Sequence, residues 1–216
     1  IVGRQSVRAF SPDKPVADDL IDDLLEIAGR APSGSNIQPW QVYVVRGEHK
    51  ARITEACSAR YLAGDEGNPE YFYYPQAWRD PYIGRRRETG FGLYGLLGID
   101  RHDAPAVQAY RVLNYQFFGA PVALFFTIDR DMEQGSWVDY GMFLQSLMLA
   151  AREQGLETCA QAAFCPYYDS VMPILGAPSE QMLVCGMSIG YADSDAVINE
   201  YRTSRLPVDV FRTRLS

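Results

Sequence analysis

Pro32-Ser33-Gly34-Ser35-Asn36-Ile37-Gln38-Pro39-Trp40 is the stretch from which the rest of this 216-residue chain can be read. Ahead of it Leu20, Ile21, Leu24, Leu25, Ile27 and Ala28 recur at helical spacing, a stripe that faces a core. Behind it Gln41-Val42-Tyr43-Val44-Val45 is a short β-branched run with the character of a buried strand. Pro32 stops the helix, and Pro39 keeps the chain extended as it enters the strand. Between them Ser33, Ser35, Asn36 and Gln38 set four polar side chains on one short connection. Such a connection is either a well-made helix-to-strand loop or a ligand-binding corner.

The segment Arg4-Gln5-Ser6-Val7-Arg8-Ala9-Phe10 weighs on that choice. In an extended chain Arg4, Ser6 and Arg8 point to one side, which presents two guanidinium forks and a hydroxyl, donors suited to phosphate. A solvated terminal face is the plainer reading of the same residues. Further along, the first helix is expected from Ala17 to Ala31 with Asp18 or Asp19 as its cap, and a second from Glu48 to Ala59. Helical spacing runs again from Ala104 to Phe118, followed by Val122–Ile128, apolar throughout and so a central strand covered on both faces. Ser136 with Asp139 reads as a capping box. The helix it opens is apolar nearly all round (Val138, Met142, Phe143, Leu144, Leu147, Met148, Leu149), which suits an oligomer interface. Leu156–Gln161 and Met182–Ile189 read as strands with a helix from Tyr168 to Leu175 between them. The alternation predicts an α+β fold, a mixed sheet flanked by helices, in a single domain spanning 1–216.

Residues 60–107 read as an excursion over the surface. Tyr71 to Tyr74, Trp78 and Tyr82 crowd aromatic rings among prolines and charges there. They wall a substrate pocket, pack a dimer surface or cover the core. Gly90-Phe91-Gly92-Leu93-Tyr94-Gly95 matches a dinucleotide fingerprint in letters. Arg85-Arg86-Arg87-Glu88-Thr89 ahead of it is no buried strand, so the match is set aside. A formal net charge of −7 argues against bulk nucleic-acid binding, the triple-arginine patch notwithstanding. No apolar run approaches the ~18 residues of a membrane span, and no signal peptide is evident, although a chain beginning at Ile1 leaves its natural start open. Four cysteines without a C-x-x-C pair fit reduced thiols and a cytoplasmic location. His49 and His102, both in polar surroundings, offer neither a metal site nor a histidine-driven triad.

Taken together, R-x-S-V-R-x-F, one helix, and A-P-S-G-x-N-x-Q-P-W resemble the opening of the FMN-dependent nitroreductase family. Asn114 ahead of Phe117-Phe118-Gly119-Ala120-Pro121, and Gly190-Tyr191-Ala192-Asp193 followed by Asn199 to Pro207, extend the resemblance to the centre and the far end. It implies a domain-entwined homodimer with FMN at the interface. Arg4, Ser6 and Arg205 would hold the phosphate, with Arg202 in reserve, and Gln5 would also touch the cofactor. Arg8 would sit beside the pyrimidine edge of the flavin ring, and Asn114 on the same side. Gln161-Ala162-Ala163 would approach the hydride-accepting nitrogen; relatives often carry Glu-Gly or Gly-Gly there. Pro32, Ser33, Gly34 and Asn36 would come from the partner subunit. Tyr73, Trp78 and Tyr82 are the candidate substrate contacts. NADH or NADPH would deliver hydride, and a flat acceptor such as a nitroaromatic or quinone would then accept it in ping-pong order, with no catalytic side chain required. Within the same resemblance lie two alternatives, a dehalogenase or flavin-destructase type of enzyme and a flavin-binding protein without turnover.

Overall fold

Strand Val122–Asp129 (β2) organises the molecule, because all but its last residue are buried. Its side chains alternate between two cores. Ala123 and Phe125 join Val7, Phe10, Ile53, Phe117, Phe164 and Val171 on one face. Val122, Leu124, Phe126 and Ile128 join Ile21, Leu24, Tyr140, Phe143 and Leu147 on the other. That is why β2 carries no polar alternation: neither face meets water. The computed structural model describes residues 1–215.

In chain order the elements are α1 (Asp18–Ala28), β1 (Gln41–Val45), α2 (Gly47–Leu62), α3 (Tyr82–Leu96), α4 (Ala104–Val112), β2, α5 (Gln134–Glu153), β3 (Glu157–Gln161), α6 (Tyr168–Leu175), β4 (Gln181–Gly190) and α7 (Val208–Phe211). The sheet order is β1-β2-β4-β3, and each neighbouring pair is antiparallel. A parallel component enters through the bridge Ser6–Thr158, where Val7 donates its N–H to the Thr158 carbonyl at 3.0 Å. The first segment of the chain is thereby laid along the β3 edge. The result is the expected α+β arrangement, a small sheet between helices.

Several local expectations are corrected. No side chain caps α1, whose N-cap is Ala17; Asp18 and Asp19 lie in its first turn instead. There they still meet the positive end of the helix dipole. α4 ends at Val112 rather than continuing to Phe118, since Phe117, Phe118 and Gly119 all adopt positive φ. The capping box at Ser136 does not form. α5 begins earlier, at Gln134, and the Asp139 carboxylate accepts the Gly34 N–H at 2.9 Å. α5 buries one face through Tyr140, Phe143, Leu147 and Ala151, whereas Val138 is 66% exposed. The stretch 60–107 holds the end of α2 and all of α3, and the fingerprint glycines lie inside that helix.

Candidate active site

The chain's two extremities meet over β3. Asn199, in a short 3-10 turn, is the clasp. Its Nδ2 donates to the carbonyls of Ala9 (2.8 Å) and Asp193 (2.9 Å), and its Oδ1 accepts the Arg8 N–H at 3.0 Å. Its carbonyl accepts from Gln5 Nε2 and from Arg202 Nη1. Arg202 also donates to the Gln5 side chain, so Gln5 and Arg202 brace each other across the two termini. Asn199 was not singled out as a site residue from sequence. The signal lay in its place ahead of the Glu200–Pro207 run, but its role depends on a partner 191 residues away.

Around this clasp Arg4, Gln5, Ser6, Arg8, Arg202 and Arg205 line one cavity of about 490 Å³, together with Gln145 from α5. None of its four arginines enters an ion pair among the described residues; the five ion pairs present are made by Arg46, Arg60, Arg130 and Arg152. Four guanidinium groups converging without a carboxylate form a seat for an anion. Arg8 also lines a second, larger cavity of about 850 Å³ and is the residue the two linings share. Asn114, Gln161, Ala162 and Ala163 lie on its floor, and Phe72, Tyr73 and Tyr74 on its wall.

The floor is rigid for a clear reason. The Gln161 side chain is buried and bonded at both ends, donating to the Asn114 carbonyl (2.6 Å) and accepting from Ser188 Oγ (2.7 Å). It is therefore a strut between the turn after α4 and β4, not a free contact. What this stretch offers a ligand is backbone, left open by the small side chains of Ala160, Ala162 and Ala163. The Tyr110 hydroxyl is buried without a partner. Burial raises its pKa, partly offset by the nearby Arg8 charge. The wall is hung on Tyr71, which donates to the Val184 carbonyl and packs at a tilt of 57° against Trp137, ring centroids 4.7 Å apart. Of the three candidate substrate contacts, Tyr73 lines the cavity. Trp78 stands one layer back against Tyr74 (5.4 Å), and Tyr82 lies outside, sandwiched by Arg79 and Arg85.

Pro32, Ser33, Gly34 and Asn36 line neither cavity of this protomer. Their loop is held in a set shape, with Ser35, Asn36 and Gln38 at positive φ, Ser33 Oγ accepting the Gln38 N–H, and Gly34 tied to α5. It is also exposed along most of its length.

A profile of the Nitroreductase family matches residues 1–191. The chain belongs to the nitroreductase family. This nitroreductase is 40% identical over 210 residues to a 4-nitrobenzoate reductase of Nocardioides sp. (strain LMS-CY), covering 96% of this chain and 85% of that protein. It is also 40% identical to a nitrobenzene nitroreductase of Ectopseudomonas oleovorans over 97% of this chain and 92% of the other. Among solved structures it is similar to an FMN and NADPH-dependent nitroreductase, NfnB, from Sphigopyxis sp. strain HMH. That match has a TM-score of 0.96 at 42% identity and covers 100% of this chain and 96% of that one.

Proposed function

We propose that this nitroreductase binds FMN across a homodimer interface and uses it to pass hydride from NADPH or NADH to a flat, electron-poor acceptor of the nitroaromatic or quinone class. The observation that carries the reading is the pair of cavities that meet at Arg8, one ringed by four guanidinium groups outside any ion pair among the described residues and the next floored by alanines and walled by aromatic rings. That donor set fits a phosphate followed by a flat ring, and the relatives' names point the same way. FMN, when bound, supplies the electron relay between nicotinamide and acceptor. The protein's part is placement and charge. Arg4, Ser6, Arg205 and, through Gln5, Arg202 grip the phosphate. Arg8, held by Asn199 and by its own donation to the Ser6 carbonyl at 3.2 Å, would set positive charge beside a bound flavin ring and so favour its reduced, anionic form. Asn114, whose Nδ2 donates to the Arg111 carbonyl at 3.2 Å, would meet the ring from the same side. Pro32, Ser33, Gly34 and Asn36 complete the site from the partner subunit, which accounts for a preformed polar loop that lines neither cavity of its own chain. The exposed face of α5 at Val138 then packs within the dimer. No helix among the described residues is long and apolar enough to cross a membrane, and four unpaired cysteines suit the cytoplasm, where we place the protein.

The test is reconstitution with FMN followed by anaerobic absorbance titration. Yellow protein that bleaches with NADPH or NADH and is re-oxidised by 4-nitrobenzoate, nitrobenzene or menadione is the expected result. Protein that stays colourless in saturating FMN refutes the proposal, and yellow protein that never bleaches reduces it to a flavin-binding protein.

A further inference from the structure

The larger cavity carries more positive charge than Arg8, the one arginine assigned to the flavin ring, supplies. Its lining contains three guanidinium groups, Arg8, Arg86 and Arg111, and no carboxylate. In a chain of formal net charge −7 that local excess of positive charge is not inherited from composition. Neither Arg86 nor Arg111 forms an ion pair among the described residues. Arg86 lies over the Trp78 ring, 4.6 Å from its centroid, and 5.7 Å from that of Tyr74. Stacking of this kind fixes the plane of the guanidinium and leaves its edge donors free to meet an oxyanion. Arg111 is steadied by its Nε–H donation to Tyr94 Oη at 2.9 Å.

Resting on the function proposed above, we infer that Arg86, with Arg111, binds an anionic group carried by the flat substrate that enters the aromatic cavity. The ligand class is an aromatic molecule bearing an oxyanion. Two sources share that chemistry, a ring carboxylate on the acceptor and a phosphate of the nicotinamide dinucleotide. An uncharged nitroarene would leave both guanidinium groups to water, so the pair sets a preference among substrates rather than taking part in electron transfer. Trp78, one layer back from the cavity, acquires a role as the platform that orients Arg86. The two groups lie near the surface, so the attraction weakens as salt shortens the screening length, about 8 Å at physiological ionic strength.

The test compares wild type with Arg86→Gln, Arg86→Lys and Arg111→Gln after FMN reconstitution. The first readout is the ratio of kcat/KM for 4-nitrobenzoate to that for nitrobenzene. It is expected to fall about tenfold in Arg86→Gln and less in Arg86→Lys, which keeps charge but loses the planar fork. The second is KM for NADPH and NADH; a rise there with the acceptor ratio unmoved assigns the anion to the dinucleotide phosphates. The third needs no turnover. Benzoate should quench tryptophan fluorescence more tightly than benzamide, and Arg86→Gln should erase that difference and its salt dependence. If all three readouts stay within twofold of wild type in both glutamine variants, the inference is overturned, even in yellow, active protein. Colourless protein would instead refute the flavin reading, and the benzoate comparison would still decide this one.

Discussion

At the scale of single residues the arginines divide by what surrounds them. Arg205 lies among exposed tail residues and bonds only its own neighbourhood, Thr203 and the Ser204 carbonyl. Nothing but an anion gives it a long-range partner. Arg8 is tied into the fold from both sides. We therefore expect Arg205→Ala to weaken FMN retention about ten- to a hundredfold, the worth of a lost charge-assisted bond, while leaving the bleaching rate of retained flavin within a few-fold. Arg8→Ala should do the reverse, slowing bleaching by NADPH at least tenfold with much smaller loss of flavin. Stopped-flow absorbance beside a flavin-release assay separates them, and equal effects of both variants on both readouts would contradict the division of roles. The cysteines give a second test. Burial pushes the Cys57 thiol up to about 12 and that of Cys159 up to about 11, from an ordinary 9.0. The unfolded chain thus loses these protons first as pH rises. Their contribution is intact well below pH 9.0 and drains away as pH passes it, approaching about 1.4 kcal/mol per pH unit for each thiol until its folded value is reached. Denaturant midpoints of reduced protein should fall between pH 8.5 and 10, and Cys57→Ala should flatten that slope; an unchanged slope would show that Cys57 is not the group.

At the scale of elements the sequence is legible where local pattern and tertiary demand coincide. β2 is apolar except for Thr127 and its terminal Asp129 because both faces are covered, and α6 has the expected bounds because its stripe and its Gly176 stop agree. The Arg4–Arg8 segment and the Pro32–Trp40 loop stand out as candidate binding corners because their residue types alone suit one. Elsewhere a distant contact decides. Asp139 looks like half of a cap, yet its carboxylate serves Gly34, 105 positions away. The Gln161 side chain, a cofactor candidate by position, is consumed as a strut. α3 was the hardest to foresee, since Gly84, Gly90, Gly92 and Gly95 all weaken a helix. Its position against the tail explains one of them. A Cβ on Gly92 would lie 2.4 Å from Tyr201 Oη and 2.5 Å from Cε2, whereas one on Gly90 or Gly95 would meet nothing within 4 Å. Gly90→Ala and Gly95→Ala should each stabilise the protein by up to about 1 kcal/mol through helix propensity. Gly92→Ala should destabilise it, or push Tyr201 and the arginine-bearing tail aside with loss of FMN affinity. Thermal melts of the three variants check this, and three equal stabilisations would mean that Tyr201 does not pack on α3.

At the scale of the molecule the question is whether one protomer carries half of each of two sites, as the proposed shared FMN site requires. The anion seat is built from its own termini, which Asn199 clasps over the β3 edge. The Pro32–Asn36 corner is built separately and anchored to the start of α5, outside both cavities. A two-fold axis that pairs the exposed faces of α5 would let each corner serve the other chain's seat. Exposed apolar side chains in the tail, Val208, Val210 and Phe211, give such a dimer further surface to bury. Subunit complementation decides between this and two self-contained protomers. Arg205→Ala breaks a seat, and Asn36→Gly removes a corner side chain while tolerating the positive φ at that position. Each variant alone should hold little FMN. When the two are co-expressed, half of the dimers are mixed, and a mixed dimer contains one wholly intact site and one doubly damaged site. Flavin content should then recover to roughly a quarter of the wild-type value if the corner acts in trans. If seat and corner belong to the same chain, no pairing can reunite intact halves. Flavin content would then stay at the level of the separate variants, which would exclude the shared site whatever mass light scattering reports.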